Sequence, residues 1–197
     1  AVYGCVLGYD LIADEMKDKE LSELVKRIGL VEGMPVVTNP GIIDPEKFAD
    51  EVINVRIPNP FMPDTPQRIA TDTSQKVGIR YGETIKSYVA KDGSARALTA
   101  IPLAIAGWCR YLLGIDDNGE AFELSPDPMA DELKCQLDGI VWGESSSYTG
   151  QLKNLLSNAN IFGINLYEAG IGDKIEEMFV EEISGKGAIR ETLKKYL

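Results

Sequence analysis

Apolar residues recur along the chain at the three- and four-residue intervals of an amphipathic helix, and helix-capping or helix-breaking residues separate these segments. After Asp18, the spacing of Leu21, Leu24 and Ile28 predicts one such helix, which Gly29 and Gly33 are expected to end. Further helix starts are predicted at four capping residues: Asp44, Thr65, Ser74 (for a helix through about Val89) and Asp127. Short strands are conceivable at 35–38 and 121–124 but support no sheet, so the pattern predicts a mostly α fold.

The segment 98–113 is the most apolar part of the chain, and Arg110 is its one charged residue. A helix that is apolar on all sides is expected at the centre of a helical protein. Pro102 lies early in this segment, where it would kink or restart the helix. The glutamates of a later amphipathic helix are predicted to form a charged outer face; they are Glu176, Glu177, Glu181 and Glu182.

Residues 56–76 form the most informative stretch. Prolines at 58, 60 and 63 fix φ and forbid a continuous helix there. The segment then brings Arg68 and Lys76 into a polar run of hydroxyl and carboxyl side chains at 71–75. Stiff backbone, two cations and several hydroxyls suit the binding of an anionic or polyhydroxylated small molecule. Because eight residues separate the two cations, they converge only if the chain bends near Asp72.

Composition narrows the classes of function. With 20 basic and 31 acidic residues the net charge is −11, which disfavours binding to nucleic acid or to an anionic membrane surface. The chain has no histidine, and we expect no metal site. Its three cysteines, Cys5, Cys109 and Cys135, are expected to be buried free thiols in a reducing cytoplasm. No Gly-rich nucleotide-binding loop occurs.

The pattern Arg-x-x-Asn-Pro-x-x-x-Asp beginning at Arg56, followed by Arg-Ile-Ala-x-Asp-x-Ser-x-Lys beginning at Arg68, closely resembles the C-terminal domain of the mannitol dehydrogenase family. This family comprises long-chain polyol and hexuronate dehydrogenases, including fructuronate reductases. The run at 106–119 resembles the family's central helix and the acidic turn after it. The resemblance implies a multi-helix fold similar to the 6-phosphogluconate dehydrogenase C-terminal-like fold.

The resemblance also implies one helical substrate-binding domain over residues 1–197, without the family's N-terminal Rossmann domain. The family's catalytic Lys-x-x-x-x-Asn-x-x-His motif would lie upstream of Ala1, so no catalytic residue is assigned in this chain. NAD or NADP would be bound mainly by the Rossmann domain. The implied partners are that domain and a sugar alcohol, ketose or keto-uronate, and the isolated chain is expected to be inactive.

Arg68 and Lys76 match the family's substrate-binding cations, and their pairing slightly favours a hexuronate over a polyol, with a sugar phosphate third. Two other readings stay open. Arg68 could pair with Asp64 or Asp72 and only hold the loop, and Lys76 could be a solvated surface residue. The alternative function is a non-catalytic helical module whose acidic faces bind a protein partner.

Overall fold

The computed structural model describes residues 1–197, which form short helices and almost no β-structure. Two isolated β-bridges, Ile115 with Ala121 and Val141 with Glu144, are the only extended pairings. The α-helices are α1 Val2–Leu7, α2 Ile12–Glu15, α3 Lys19–Lys26, α4 Pro45–Glu51, α5 Pro66–Ile69, α6 Thr73–Val77, α7 Glu83–Asp92, α8 Ala100–Tyr111, α9 Ala130–Gln136, α10 Lys153–Leu156, α11 Ala159–Phe162, α12 Gly172–Glu182 and α13 Ala188–Tyr196. The mostly α prediction is confirmed.

Three π-helical stretches extend these helices. Arg27–Gly33 continues α3, Val52–Arg56 continues α4, and Gly78–Gly82 joins α6 to α7. Short 3₁₀ helices lie at Met34–Val36 and Ser145–Ser147. None of these helices combines the length and the apolar character that crossing a membrane requires.

Helix α8 lies at the centre of the molecule. All twelve of its residues are buried, as the apolar segment 98–113 predicted. α1, α12, α13 and the π-helical stretch Arg27–Gly33 all pack against it. A core of 35 buried apolar residues runs through these contacts. These four elements are therefore positioned largely by the way they pack on α8.

The buried start of α8 is capped by a distant carboxylate. Glu32 accepts hydrogen bonds from the backbone N–H groups of Thr99 at 2.6 Å, Ala100 at 2.7 Å and Ile101 at 2.8 Å. Pro102 follows and has no N–H to satisfy, and the N–H of Leu103 already bonds within the helix to the carbonyl of Thr99. Every backbone N–H group at the start of α8 therefore has an acceptor. Pro102 lies in the first turn, where it helps to start the helix.

The other end of α8 carries a buried cation. Arg110 is fully buried and donates to the carbonyls of Ile115 at 2.6 Å and Asp116 at 3.0 Å. Burial lowers the pKa of Arg110, although the nearby carboxyl groups oppose that shift. The guanidinium thereby ties the acidic turn to the end of α8, and it does not extend to solvent.

Glu182 corrects the prediction of a charged outer face on α12. Its carboxyl group is fully buried, and the Tyr3 hydroxyl lies within hydrogen-bond distance of Oε1. The same hydroxyl is 2.8 Å from the carbonyl oxygen of Leu103, but it has only one proton to donate. A protonated Glu182 resolves this, because it can donate to Tyr3 while Tyr3 donates to Leu103. Desolvation by burial accordingly raises the pKa of Glu182 to about 8.

The predicted helix boundaries are partly right. Asp18, Asp44 and Thr65 cap their helices as expected, with backbone N–H groups donating to their side chains. Gly29 does not end a helix, because the chain continues through it as a π-helix, whereas Gly33 is the last residue of that stretch and a 3₁₀ turn follows it. The helix assigned to residues 74–89 instead begins at Thr73 and continues to Asp92.

Two of the three predicted buried thiols are buried, and one is not. Cys5 and Cys109 lie in the core as free thiols, and burial raises the pKa of both. Cys135 is a free thiol as well, but it is exposed on α9. The apolar spacing of this helix includes Leu133 and Leu137, whereas Cys135 lies between them on the solvent side.

We expect that Glu32→Ala lowers the free energy of unfolding by at least about 3 kcal/mol, since it leaves three buried N–H groups without an acceptor. Glu32→Gln keeps one acceptor oxygen and should lose about 1–2 kcal/mol. Urea titration measures both. The matched control is Glu123→Gln at an exposed position, expected within about 0.5 kcal/mol of the parent. Equal stability of the Glu32 and Glu123 variants would disprove the capping role.

Stability should fall as pH rises from about 4.5 to about 8, because folded Glu182 keeps a proton that the unfolded chain releases. The stabilisation that comes from the protonated Glu182 carboxyl is fully present below pH 4.5 and is lost as pH rises through the pKa of the folded protein. The titratable groups that interact with this carboxyl are Tyr3, Cys109, Arg110 and Glu181.

Glu182→Gln should remove the part of the slope of stability against pH that comes from Glu182, because the amide stays neutral at every pH. Urea titrations of both proteins across the window give the two slopes. Identical slopes would show that Glu182 is ionised in the folded protein.

Candidate functional site

The proline-rich segment forms ordered turns between the π-helical stretch Val52–Arg56 and α5. The side chain of Asn59 accepts a hydrogen bond from the N–H of Phe61 at 2.9 Å. Asp64 accepts from the N–H of Thr65 at 3.1 Å, and Thr65 then caps α5. The prolines therefore interrupt the helix as predicted, and local side-chain bonds fix the path of the chain toward Arg68.

The chain bends at Asp72, as convergence of the two cations required. Asp72 adopts the left-handed conformation, with φ 54° and ψ 39°, and is the only non-glycine residue with positive φ. Its N–H donates to the carbonyl of Pro126 at 2.8 Å, which holds the strained residue in place. The bend reverses the chain between α5 and α6.

Asp127 clamps the start of α6 from a separate loop. Its carboxylate accepts from the N–H of Ser74 at 2.7 Å and from the hydroxyls of Ser74 at 2.5 Å and Thr73 at 3.0 Å. Burial alone would raise the pKa of Asp127, but these hydrogen bonds and one from the N–H of Met129 lower it below its usual value. Ser74 is therefore not the helix cap that its sequence context predicts: it donates to the cap.

Lys76 folds back over the bend. Its ammonium donates to the carbonyls of Thr71 at 2.5 Å and Ile69 at 3.2 Å, at the end of α5. Its own backbone N–H already bonds within the helix, to Asp72. The ammonium has three donors, and these contacts leave one of them for another acceptor.

Arg68 is held by an ion pair. Its guanidinium binds both oxygens of the Asp64 carboxylate. This is one of the two pairings, with Asp64 or with Asp72, that the sequence left open. This pair lowers the pKa of Asp64 and raises that of Arg68. The Arg68 side chain is 71% exposed and does not line the cavity that contains Lys76. A substrate-binding role for Arg68 stays a prediction. It requires that the guanidinium contacts the substrate while it is still paired with Asp64, or that this ion pair breaks first.

Lys76 lines a cavity of about 250 Å³ between α1, α6 and α8. Ala1 and Val2 form one side, and Ala104 and Trp108 of α8 form another. Trp108 is buried, and its indole N–H has no acceptor in the protein. Because that nitrogen is itself enclosed by the protein, Trp108 offers the cavity no accessible hydrogen-bond donor.

Arg80 is a site residue that the sequence analysis missed. It follows Lys76 by four residues, lines the same cavity and is exposed. The i, i+4 spacing of the two cations is the signal that could have identified it.

A second, mostly apolar cavity of about 330 Å³ adjoins the first and shares Ala1 and Ile69 with it. Asp64 lines this second cavity, so the Arg68–Asp64 pair lies beside the site without entering the first cavity. No group of three Cys, Asp or Glu side chains is arranged to hold a metal ion. The site therefore offers cationic and neutral donors, which suit an oxygen-rich organic ligand.

Residues 1–183 match the family description "mannitol dehydrogenase C-terminal domain". The chain belongs to the mannitol dehydrogenase family. It is 55% identical to the D-mannonate oxidoreductase of Thermotoga maritima over 196 residues, which cover 99% of this chain and 36% of that protein. It is 31% identical to the D-mannonate oxidoreductase of Escherichia coli over 134 residues, 68% of this chain and 26% of that protein.

The fold of this mannitol dehydrogenase C-terminal domain agrees with a solved structure. The mannitol 2-dehydrogenase of Pseudomonas fluorescens, solved as a ternary complex with NAD and D-mannitol, matches with a TM-score of 0.82 at 22% identity. The match covers 98% of this chain and 37% of that one. The chain thus spans about a third of the length of the relatives it matches best. The family resemblance carried by residues 56–76 is confirmed.

Asp127→Ala should lower the free energy of unfolding by about 2 kcal/mol, because it leaves the N–H of Ser74 and two hydroxyls without their acceptor. Urea titration tests this, with Asp138→Ala as a control at an exposed loop position. Because Asp127 has a lowered pKa when folded, its contribution is present above about pH 3.8 and is lost on acidification. Equal effects of the two substitutions would show that the clamp contributes nothing.

Proposed function

We propose that this chain is the substrate-binding domain of a nicotinamide-dependent oxidoreductase that acts on a hexonate, hexuronate or polyol. The observation that carries the proposal is the cavity at Lys76, which is lined by two cations, Lys76 and Arg80, and by no carboxylate. Family membership and the 55% identity to a D-mannonate oxidoreductase support this reading. Among the possible substrates, D-mannonate and its keto-acid product come first, and neutral polyols come second.

In this proposal the residues of the chain bind and orient the substrate. Lys76 donates its remaining N–H to a substrate oxygen, and its bonds to the carbonyls of Ile69 and Thr71 keep it in place. Arg68, paired with Asp64, would contact the distal end of the substrate from the neighbouring surface. Such positioning accelerates a reaction only when the reacting partner is held opposite.

The cofactor would be held by a part of the protein outside these 197 residues, because this chain contains no glycine-rich loop that fits a dinucleotide. We propose an N-terminal Rossmann domain in that part, with the Lys, Asn and His of the family motif preceding Ala1. The bound nicotinamide supplies hydride acceptance and donation. NAD is favoured, since a structural neighbour was solved with NAD, and NADP is the alternative. We place the enzyme in the cytoplasm.

The second candidate function is a protein-interaction module without a small-molecule site. The net charge of −11 would suit a basic partner. The concave, cationic cavity at Lys76 favours the enzyme, because an interaction surface for a basic partner would not need two cations within a cavity.

The protein that contains this chain together with its upstream sequence should oxidise D-mannonate with NAD. Lys76→Met should lower kcat/KM by about 10- to 100-fold, the effect of losing one charged hydrogen bond. The oxidation of D-mannonate and the kcat/KM of each variant are both measured from the steady-state absorbance of the reduced nicotinamide. Lys91→Met, on the same continuous helix and exposed, is the matched control and should change kcat/KM less than about twofold.

The proposed function fails if this longer protein oxidises neither D-mannonate nor D-mannitol with NAD or NADP. The assignment of the cavity alone fails if the enzyme is active and Lys76→Met behaves like Lys91→Met.

A further inference from the structure

Arg80 differs from the other two cations of this region because it has no partner. Arg68 is paired with Asp64, and Lys76 donates to two carbonyls. No hydrogen bond, ion pair or aromatic contact engages the guanidinium of Arg80, although it lines the cavity. Its charge and its five N–H donors are available to a ligand.

The helix that carries Arg80 is fixed on its opposite side by two glycines. A Cβ at Gly78 would lie 2.0 Å from the carbonyl oxygen of Ile161, and one at Gly82 would lie 2.3 Å from that of Phe162. Only glycine permits so close an approach to α11. The π-helical stretch Gly78–Gly82 is therefore seated on α11 through its glycines, while Lys76 and Arg80 line the cavity.

The charged side chains that line the cavity are all basic. The chain has 31 acidic and 20 basic residues, yet no carboxylate lines this cavity, whereas Lys76 and Arg80 do. A concave site lined by one sign of charge favours an ion of the opposite sign. A neutral polyol needs hydrogen-bond donors and acceptors but gains nothing from two uncompensated cations. An anionic substrate gains from both.

We propose that Arg80 binds the carboxylate of the substrate and so selects hexonates and hexuronates over neutral polyols of the same carbon skeleton. The planar guanidinium matches the two oxygens of a carboxylate, which a hydroxymethyl group cannot replace. This inference rests on the proposed function and adds to it the residue that sets the class of substrate.

The test compares D-mannonate with D-mannitol, which differ only in a carboxylate against a hydroxymethyl group at one end. The protein is the enzyme that includes the upstream sequence. Arg80→Gln should lower kcat/KM for D-mannonate about 10- to 100-fold, mostly through KM, and should change that for D-mannitol less than threefold. Arg80→Lys keeps the charge but not the fork and should be intermediate. Where turnover of D-mannitol is too slow, its inhibition constant is compared.

Lys91→Gln is the charge-matched control, because it removes one cation from the same continuous helix at an exposed position outside the cavity. It should leave the mannonate-to-mannitol ratio unchanged, which separates local binding from long-range attraction. If Arg80→Gln lowered kcat/KM equally for the two substrates, or lowered it for neither, the carboxylate-binding role of Arg80 would be overturned while the proposed function stands.

If the parent enzyme oxidises neither substrate, the proposed function fails, and calorimetric binding then decides the role of Arg80. The parent protein should bind D-mannonate more tightly than D-mannitol, and Arg80→Gln should abolish that preference. An unchanged preference would overturn the inference by this route as well.

Discussion

The burial of α8 is the constraint on which the rest of the structure depends. A helix with all twelve residues buried has backbone groups at both ends that water cannot reach. Glu32 satisfies the three free N–H groups at the start, and Arg110 binds the loop that follows the end. With its polar ends satisfied, the helix can offer apolar side chains in every direction. α1, α12 and α13 pack on these side chains.

The candidate site is built on this scaffold by two further constraints. The left-handed Asp72, held by the loop that also carries Asp127, turns the chain so that the Lys76 ammonium lies over the end of α5. Gly78 and Gly82 then seat the next turn on the backbone of α11. Between these anchors the helix presents Lys76 and Arg80 to a cavity whose floor is Trp108 of α8. Backbone geometry, and not a shared carboxylate, therefore brings the two cations to one cavity.

Features determined by neighbouring residues could be predicted from the sequence. The caps at Asp18, Asp44 and Thr65 depend on atoms within three residues, and the apolar character of 98–113 directly indicates burial. The family could be recognised from the spacing of Arg68, Asp72 and Lys76, and a bend near Asp72 was the condition under which the two cations could converge.

Features that depend on distant partners could not be predicted. Glu32 and α8 are separated by 67 residues or more, and Tyr3 and Glu182 by 179. Glu182 continues the i, i+3, i+4, i+7 spacing of Ile175, Met178 and Phe179, so its burial had a local signal, but its partner Tyr3 on α1 could not be predicted from the sequence. The π-helical stretches change the register at Gly29 and Gly78, where the sequence suggests an end or an ordinary turn. Arg80 is the exception, because its i, i+4 spacing from Lys76 is a local signal that was overlooked.

The most direct test of the central claim, that this cavity receives the substrate, is a crystal structure of the longer enzyme with NAD and D-mannonate. Electron density for the sugar acid is expected between α1, α6 and α8. Its carboxylate should lie within hydrogen-bond distance of Arg80, with another oxygen near the ammonium of Lys76. Sugar acid bound elsewhere, or a cavity filled by protein side chains while the substrate is bound, would show that this cavity is not the substrate site.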